Sequence, residues 1–171
     1  MTYKENELEL KFSTILGQIE RSLQLKLYYV ALITSLTIPD ICGAIDSESG
    51  ESDKNKYINW FDTYVKKRFT NNRPITGTEC YYLRCAVLHQ GITNHSKNPG
   101  NISFVSWEQA STNINPFLTN DHLGLIVETN SFCYNIIYGA YEWLDKEFNS
   151  IHFKKNMENF ITLYSLVFNE L

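Results

Sequence analysis

The sequence predicts a mainly α protein, one domain over residues 1–171, built as a helical bundle of about five helices with a small β-hairpin insertion. Three observations carry that reading. Apolar residues recur at spacings of three and four along most of the chain, the pattern of helices that bury one face. Two short runs rich in β-formers, 102–107 and 123–127, stand together in the second half. The stretch 75–91 carries the start and stop signals of a helix at its two ends.

Residues 5–38 read as helical, with Leu8, Phe12, Ile15, Leu16, Ile19 and Leu23 on one face and a denser apolar run from Leu25 onward. Pro39 is expected to end this region, because the residue before a proline is pushed away from helical geometry. Residues 40–45 then form a short turn over the bundle, and Asp40 is either a cap or a partner for Arg84. The acidic, turn-rich residues 46–53 make a surface loop. Ser52 is the expected cap of the next helix, whose apolar face is Tyr57, Trp60, Phe61, Tyr64, Val65 and Phe69. Lys66, Lys67 and Arg68 cluster near its end, where cations complement the helix dipole or touch an RNA backbone.

In the central helix, Thr76 and Glu79 form a capping box, and Gly91 supplies a residue able to turn left-handed after the last turn. Cys80, Tyr81, Tyr82, Leu83, Cys85, Ala86, Val87 and Leu88 are apolar or nearly so on every side, so the helix is expected to be buried all round. Arg84 and His89 interrupt this run. An unpaired buried cation costs roughly 3–5 kcal/mol, so its presence needs a reason. Five positions rotate a side chain by about 140° and raise it about 7.5 Å, so the two do not share one stripe. His89 instead sits beside Cys85 and Ala86, small enough to let another backbone approach. A two-fold axis near this helix would put two Arg84 and two His89 in one cleft. The structural alternative pairs Arg84 with a core carboxylate and leaves His89 capping the helix end.

The polar stretch that follows supplies Gln90, Asn94 and Lys97, all within reach of a phosphate bound beside His89, and His95 lies among them. The insertion spans about 101–128, with 111–120 as the connection of its hairpin. A helix follows with Cys133, Ile136, Ile137, Ala140, Trp143, Leu144 and Phe148 on one face, capped by Asn130 or Ser131. The last stripe is Phe153, Met157, Phe160, Ile161, Tyr164, Val167, Phe168 and Leu171.

A chain of 171 residues can bury close to 70% of the surface its unfolded form exposes, and 11 Tyr with 10 Phe supply a large core. The net charge of −4 argues against attachment to nucleic acid by bulk electrostatics, so any contact with nucleic acid would need a local basic cleft or a partner. The four cysteines show no metal-ligand spacing. No glycine-rich phosphate loop, His-Glu-x-x-His motif or nucleophile elbow occurs, so neither metal nor cofactor is expected. With no secretory segment and no apolar run near 18 residues, the expected setting is cytoplasmic, with reduced thiols and no membrane partner.

The run Arg84-Cys85-Ala86-Val87-Leu88-His89 resembles the ribonuclease motif of the HEPN superfamily, in which Arg and His stand four to six residues apart near the end of a buried helix. The resemblance implies a HEPN-like helical bundle that dimerises across this helix and cuts RNA without a metal. It makes Arg84 and His89 the catalytic pair. It also implies a toxin–antitoxin or antiviral defence setting, with an antitoxin or nucleotidyltransferase partner. Cys85 stands where many active members carry a polar residue. Together with the acidic net charge it favours the alternative of a catalytically inactive module that dimerises and scaffolds a partner or senses a nucleotide.

Overall fold

The computed structural model describes residues 3–70, 73–93, 102–106, 115–118 and 123–161. These form six α-helices and three short strands: α1 Tyr3–Gln24, α2 Tyr28–Ile45, α3 Lys54–Tyr64, α4 Gly77–Gln90, β1 Ile102–Val105, β2 Asn115–Leu118, β3 Leu123–Glu128, α5 Thr129–Glu147 and α6 Ile151–Met157. The mainly helical expectation holds. Among the described residues the helix count is six rather than about five, because the first helical region is two helices. They meet at a corner where Lys26 takes φ 58°, a left-handed conformation no helix interior accepts.

Helix α2 is the axis of the bundle and packs against α1, α3, α4, α5 and α6. It also corrects the expected stop at Pro39, which lies inside it. The proline withholds an amide from the Ser35 carbonyl, and such a loss normally kinks or ends a helix. Neighbouring helices enclose this one, and the buried Tyr57 hydroxyl donates to the Leu36 carbonyl at 3.2 Å, next to the break. Residues 40–45 are therefore the last turns of α2, not a separate turn. Their terminal carbonyls are satisfied from α6, where the Asn156 side-chain amide donates to Ile45 O at 2.8 Å and Ser47 O at 2.7 Å. At 18 residues and mean hydropathy 1.4, α2 is long and apolar enough to cross a membrane. That corrects the expectation of no such run. Half of it is buried inside this fold.

The caps of α3 and α5 shift by one to three residues from their expected places. Asp53, not Ser52, caps α3 by accepting from Asn55 N and Lys56 N at 2.8 and 2.9 Å. Glu128 caps α5 by accepting from Asn130 N and Ser131 N. Both carboxylates do what serine or asparagine would, with a full charge at the positive end of the dipole.

The insertion is not a hairpin of the two expected strands. β1 and β3 pair in parallel, with Ile102 opposite Leu125 and Val105 opposite Glu128. β2, from the expected connection, adds antiparallel to the other side of β3, giving the order β1-β3-β2. A parallel pair needs a crossover of a dozen or more residues, and the chain between β1 and β3 provides it. Pro116 falls in β2, an outer strand, where a missing amide is tolerated. Ile102, Leu125 and Val127 are buried, Phe104 meets Phe132 edge-on at 5.3 Å, and Thr129 Oγ1 donates to Val105 O. The sheet is thereby fixed to the start of α5.

The closing stripe is confirmed at Phe153 and Met157, both buried, with Phe153 against the rings of Trp143 and Phe148. Ile161 is exposed, and Tyr164, Val167, Phe168 and Leu171 lie outside the described residues.

Where α2 ends against α5, Asp46 and Glu147 face each other. Burial raises both carboxyls, and the charge of Asp46 and the hydrogen bond between the two raise Glu147 further; that hydrogen bond and the charge of His152 pull Asp46 back down, and Lys146 lowers Glu147. A carboxyl whose pKa is raised by folding contributes stability that is complete at acid pH and is lost as pH rises through it. Glu147→Gln is therefore expected to raise the denaturation midpoint at pH 7, by under about 1 kcal/mol because both groups touch solvent. The gain should fade below the ordinary carboxyl value of 4.5. Denaturant titrations of both proteins across pH 3.5–7.5 measure it.

Candidate functional site

Helix α4 is set in place at both ends. Thr76 Oγ1 accepts from Glu79 N at 3.2 Å while Glu79 Oε2 accepts from Thr76 N at 2.9 Å, completing the expected capping box. Arg73 adds an ion pair to Glu79 at 2.8 Å. The first residue, Gly77, lies so close to α3 that a Cβ would stand 2.6 Å from the Ile58 carbonyl oxygen, and its amide donates to Asp62 at 2.8 Å. At the far end Gly91 takes φ 68° and ψ 20°, the left-handed cap the sequence implied.

The helix is not buried all round. Cys80, Leu83, Ala86 and Val87 are sealed against α2 and α3, whereas Tyr81, Tyr82, Arg84, Cys85 and Leu88 are half-buried and His89 and Gln90 are exposed. A run of Tyr and Cys is apolar by composition, yet each has a polar tip that tolerates a wet boundary. The uncovered side carries both arginine and histidine. Of the two small residues expected beside His89, Ala86 faces the core and Cys85 stays on the open side.

Arg84 has a partner inside its own chain. Its Nε stands 2.7 Å from Asp40 Oδ2, with 24% and 19% of the two side chains exposed. The N–H does not aim along that line, so the contact is a close ion pair without an aligned hydrogen bond. Ser52 Oγ donates to the other Asp40 oxygen at 3.4 Å, and Arg84 Nη1 leans on Cys85 Sγ at 3.9 Å. Burial pushes the Asp40 carboxyl up, and the Arg84 charge opposes that rise. For Arg84, burial lowers the pKa, but Asp40 and Cys85 outweigh it and leave the guanidinium above its ordinary value. Behind the pair, the Tyr57 hydroxyl is 3.3 Å from Cys80 Sγ. Burial raises the Tyr57 phenol well above its usual range and the Cys80 thiol to about 12. Neither ionises near neutrality.

His89, in the last turn, is exposed, and Gln90 beside it is exposed too. Asn94, Lys97 and His95 lie outside the described residues. The basic cluster after α3 is claimed by other elements. Lys67 and Arg68 bind Glu142 of α5 at 2.6 and 2.8 Å, and Lys66 pairs with Asp62 at 3.8 Å. Hydrogen bonds from Lys67 and Lys146 hold Glu142 down at about 2. A cavity of about 280 Å³ between α2 and α3, lined by residues such as Asp46, Lys56, Trp60 and Tyr64, receives nothing from α4. Among the described residues no three His, Cys, Asp or Glu side chains converge as a metal site.

No protein-family model, curated protein or solved structure matches this chain.

Sequence reasoning named Asp40, Arg84 and His89, but it passed over Lys54. This residue opens α3, and its ammonium donates to the Tyr82 hydroxyl at 2.7 Å, 4.7 Å from the centre of that ring and 5.9 Å from the Tyr81 ring. The two tyrosines meet edge-on at 5.7 Å. A separation of 28 positions gave no local signal.

Removing the Asp40 carboxylate leaves a half-buried guanidinium without its counter-charge. Asp40→Ala is expected to cost about 1–3 kcal/mol in urea denaturation, less than a fully buried pair because solvent reaches both groups. Adding Arg84→Met to Asp40→Ala should recover part of that loss.

Proposed function

We propose that this protein is a metal-independent endoribonuclease of HEPN type that acts as a homodimer through the open side of α4. The observation that supports this reading most is that Arg84 and His89 both reach the side of α4 that the other described residues leave uncovered. Tyr81, Cys85 and Leu88 give that side an apolar, half-buried surface, with the exposed Ile92 just past the helix end. A second copy packed there brings two guanidinium and two imidazole groups around one cleft. The Asp40 contact does not spend the arginine. It is made through Nε, is poorly aligned, and leaves a planar fork whose other amino groups suit a phosphate.

In this mechanism an RNA phosphodiester enters the cleft between the two α4 helices. Arg84 holds the phosphate and stabilises the negative charge that builds on its non-bridging oxygens. His89 takes the proton from the ribose 2′-hydroxyl or gives one to the departing 5′-oxygen. The 2′-oxygen attacks phosphorus and the bond to the 5′-oxygen breaks, leaving a 2′,3′-cyclic phosphate and a 5′-hydroxyl. DNA, lacking the nucleophile, is inert. We place the activity in a toxin–antitoxin or antiviral pair, whose second member would also compensate for the net charge of −4.

The Asp40–Arg84 pair favours one other reading, in which the arginine is structural and the chain is an inactive dimerising module. Incubation with single-stranded and structured RNA in EDTA separates the two. The nuclease reading expects cleavage by the parent and a loss of at least about 100-fold in His89→Ala and Arg84→Ala, the scale of an acid–base group or a charge clamp. Equal behaviour of all three proteins assigns the chain to the inactive class.

A further inference from the structure

We propose that Lys54 and the rings of Tyr82 and Tyr81 form a subsite for the nucleotide next to the scissile one, taking its base on the aromatic faces and its phosphate on the ammonium. This rests on the endoribonuclease reading of the α4 face and extends it to substrate contact.

Lys56, Lys66, Lys67, Arg68, Arg73, Arg84 and Lys146 all pair with carboxylates. Lys54, like Arg21 and Lys155, pairs with none among the described residues, but where those two meet an amide side chain and a backbone carbonyl, Lys54 is held by tyrosines. It is also the first residue of α3, at the positive end of the dipole, where a cation is the disfavoured sign. An exposed ammonium kept in that place and laid over two rings is arranged to meet an anion that also carries a flat face. A nucleotide fits that description, since sequence-tolerant single-strand binding combines aromatic stacking with cationic backbone contacts.

The position agrees. Tyr82, Cys85 and His89 are spaced i, i+3 and i+7 and share one stripe of α4, with Tyr82 about 10 Å along the axis from His89. Tyr81 continues the surface toward Arg84, one turn further along the helix, and is braced edge-on by Tyr57 at 5.5 Å. Lys54, Tyr82, Tyr81 and Arg84 thus form a continuous band across the open side of the helix.

The test uses an RNA of uniform 2′-O-methyl sugars, which binds but cannot be cut, titrated at several salt concentrations against the full-length protein. Lys54→Ala should reduce affinity and lower the slope of log affinity against log salt by about 0.7, one phosphate contact on a single strand. Tyr82→Ala should weaken binding by about 5-fold or more, while Tyr82→Phe, which keeps the ring, should hold it. Lys54 is exposed, so its variant is expected to melt like the parent, and melting curves of the tyrosine variants exclude loss of fold. Unchanged affinity and slope in Lys54→Ala would overturn the subsite, even if the parent cleaves ordinary RNA. Lys54-dependent binding by a parent that cleaves nothing would retain the subsite and retire the nuclease. A parent that fails to bind removes both.

Discussion

An aspartate from the bundle's central helix and an arginine from the helix beside it meet at 2.7 Å, and the open face of α4 is organised around that contact. Asp40 follows Pro39 directly, in the part of α2 that continues past a residue normally expected to stop it. Had the helix ended at Ile38, the carboxylate would sit on a loop and Arg84 would have no counter-charge at a defined position. The helix continues because its surroundings over-determine it. α2 is enclosed by its neighbours, Tyr57 covers the Leu36 carbonyl, and Asn156 closes the last turn. A locally unfavourable proline is thereby tolerated, and the result is an acid fixed beneath a base.

Such a pair has two consequences. It lets a guanidinium sit half-buried on an otherwise apolar helix, which it could not do alone. It also orients that guanidinium, since a fork tethered at Nε has its remaining amino groups already spread for a planar or tetrahedral anion. The rise in the Asp40 carboxyl through burial shows that the aspartate bears a cost in this place, one the arginine offsets only in part. An incoming phosphate would share Arg84 with Asp40 and need not displace it.

What the sequence made readable was local. Thr76, Glu79 and Gly91 announce α4 because caps depend on residues three or four apart. The aromatic stripes of α3 and α5 announce buried faces for the same reason. What it hid was decided by tertiary partners. Pro39 reads as a stop until the packing around it is known. The β-forming runs at 102–107 and 123–127 name strands but not their direction, and the parallel pairing of β1 with β3 is a tertiary arrangement that neither run encodes locally. The all-round burial expected of α4 failed because Tyr81, Tyr82 and Cys85 count as apolar but sit at a boundary. Within the site, Arg84, His89 and the Asp40 option were visible in the sequence. Lys54 was not, because only the fold brings α3 against Tyr82.

The account therefore turns on whether the open sides of two α4 helices build one reaction centre. Subunit complementation tests this most directly. Arg84→Ala and His89→Ala proteins, each expected to be inactive alone, are unfolded together and refolded so that mixed dimers form, and RNA cleavage is then measured. The account predicts that the mixture recovers a substantial part of the parental activity, because one mixed dimer unites an intact guanidinium with an intact imidazole from its partner. A mixture that demonstrably forms mixed dimers yet cleaves no more RNA than either variant alone would contradict it.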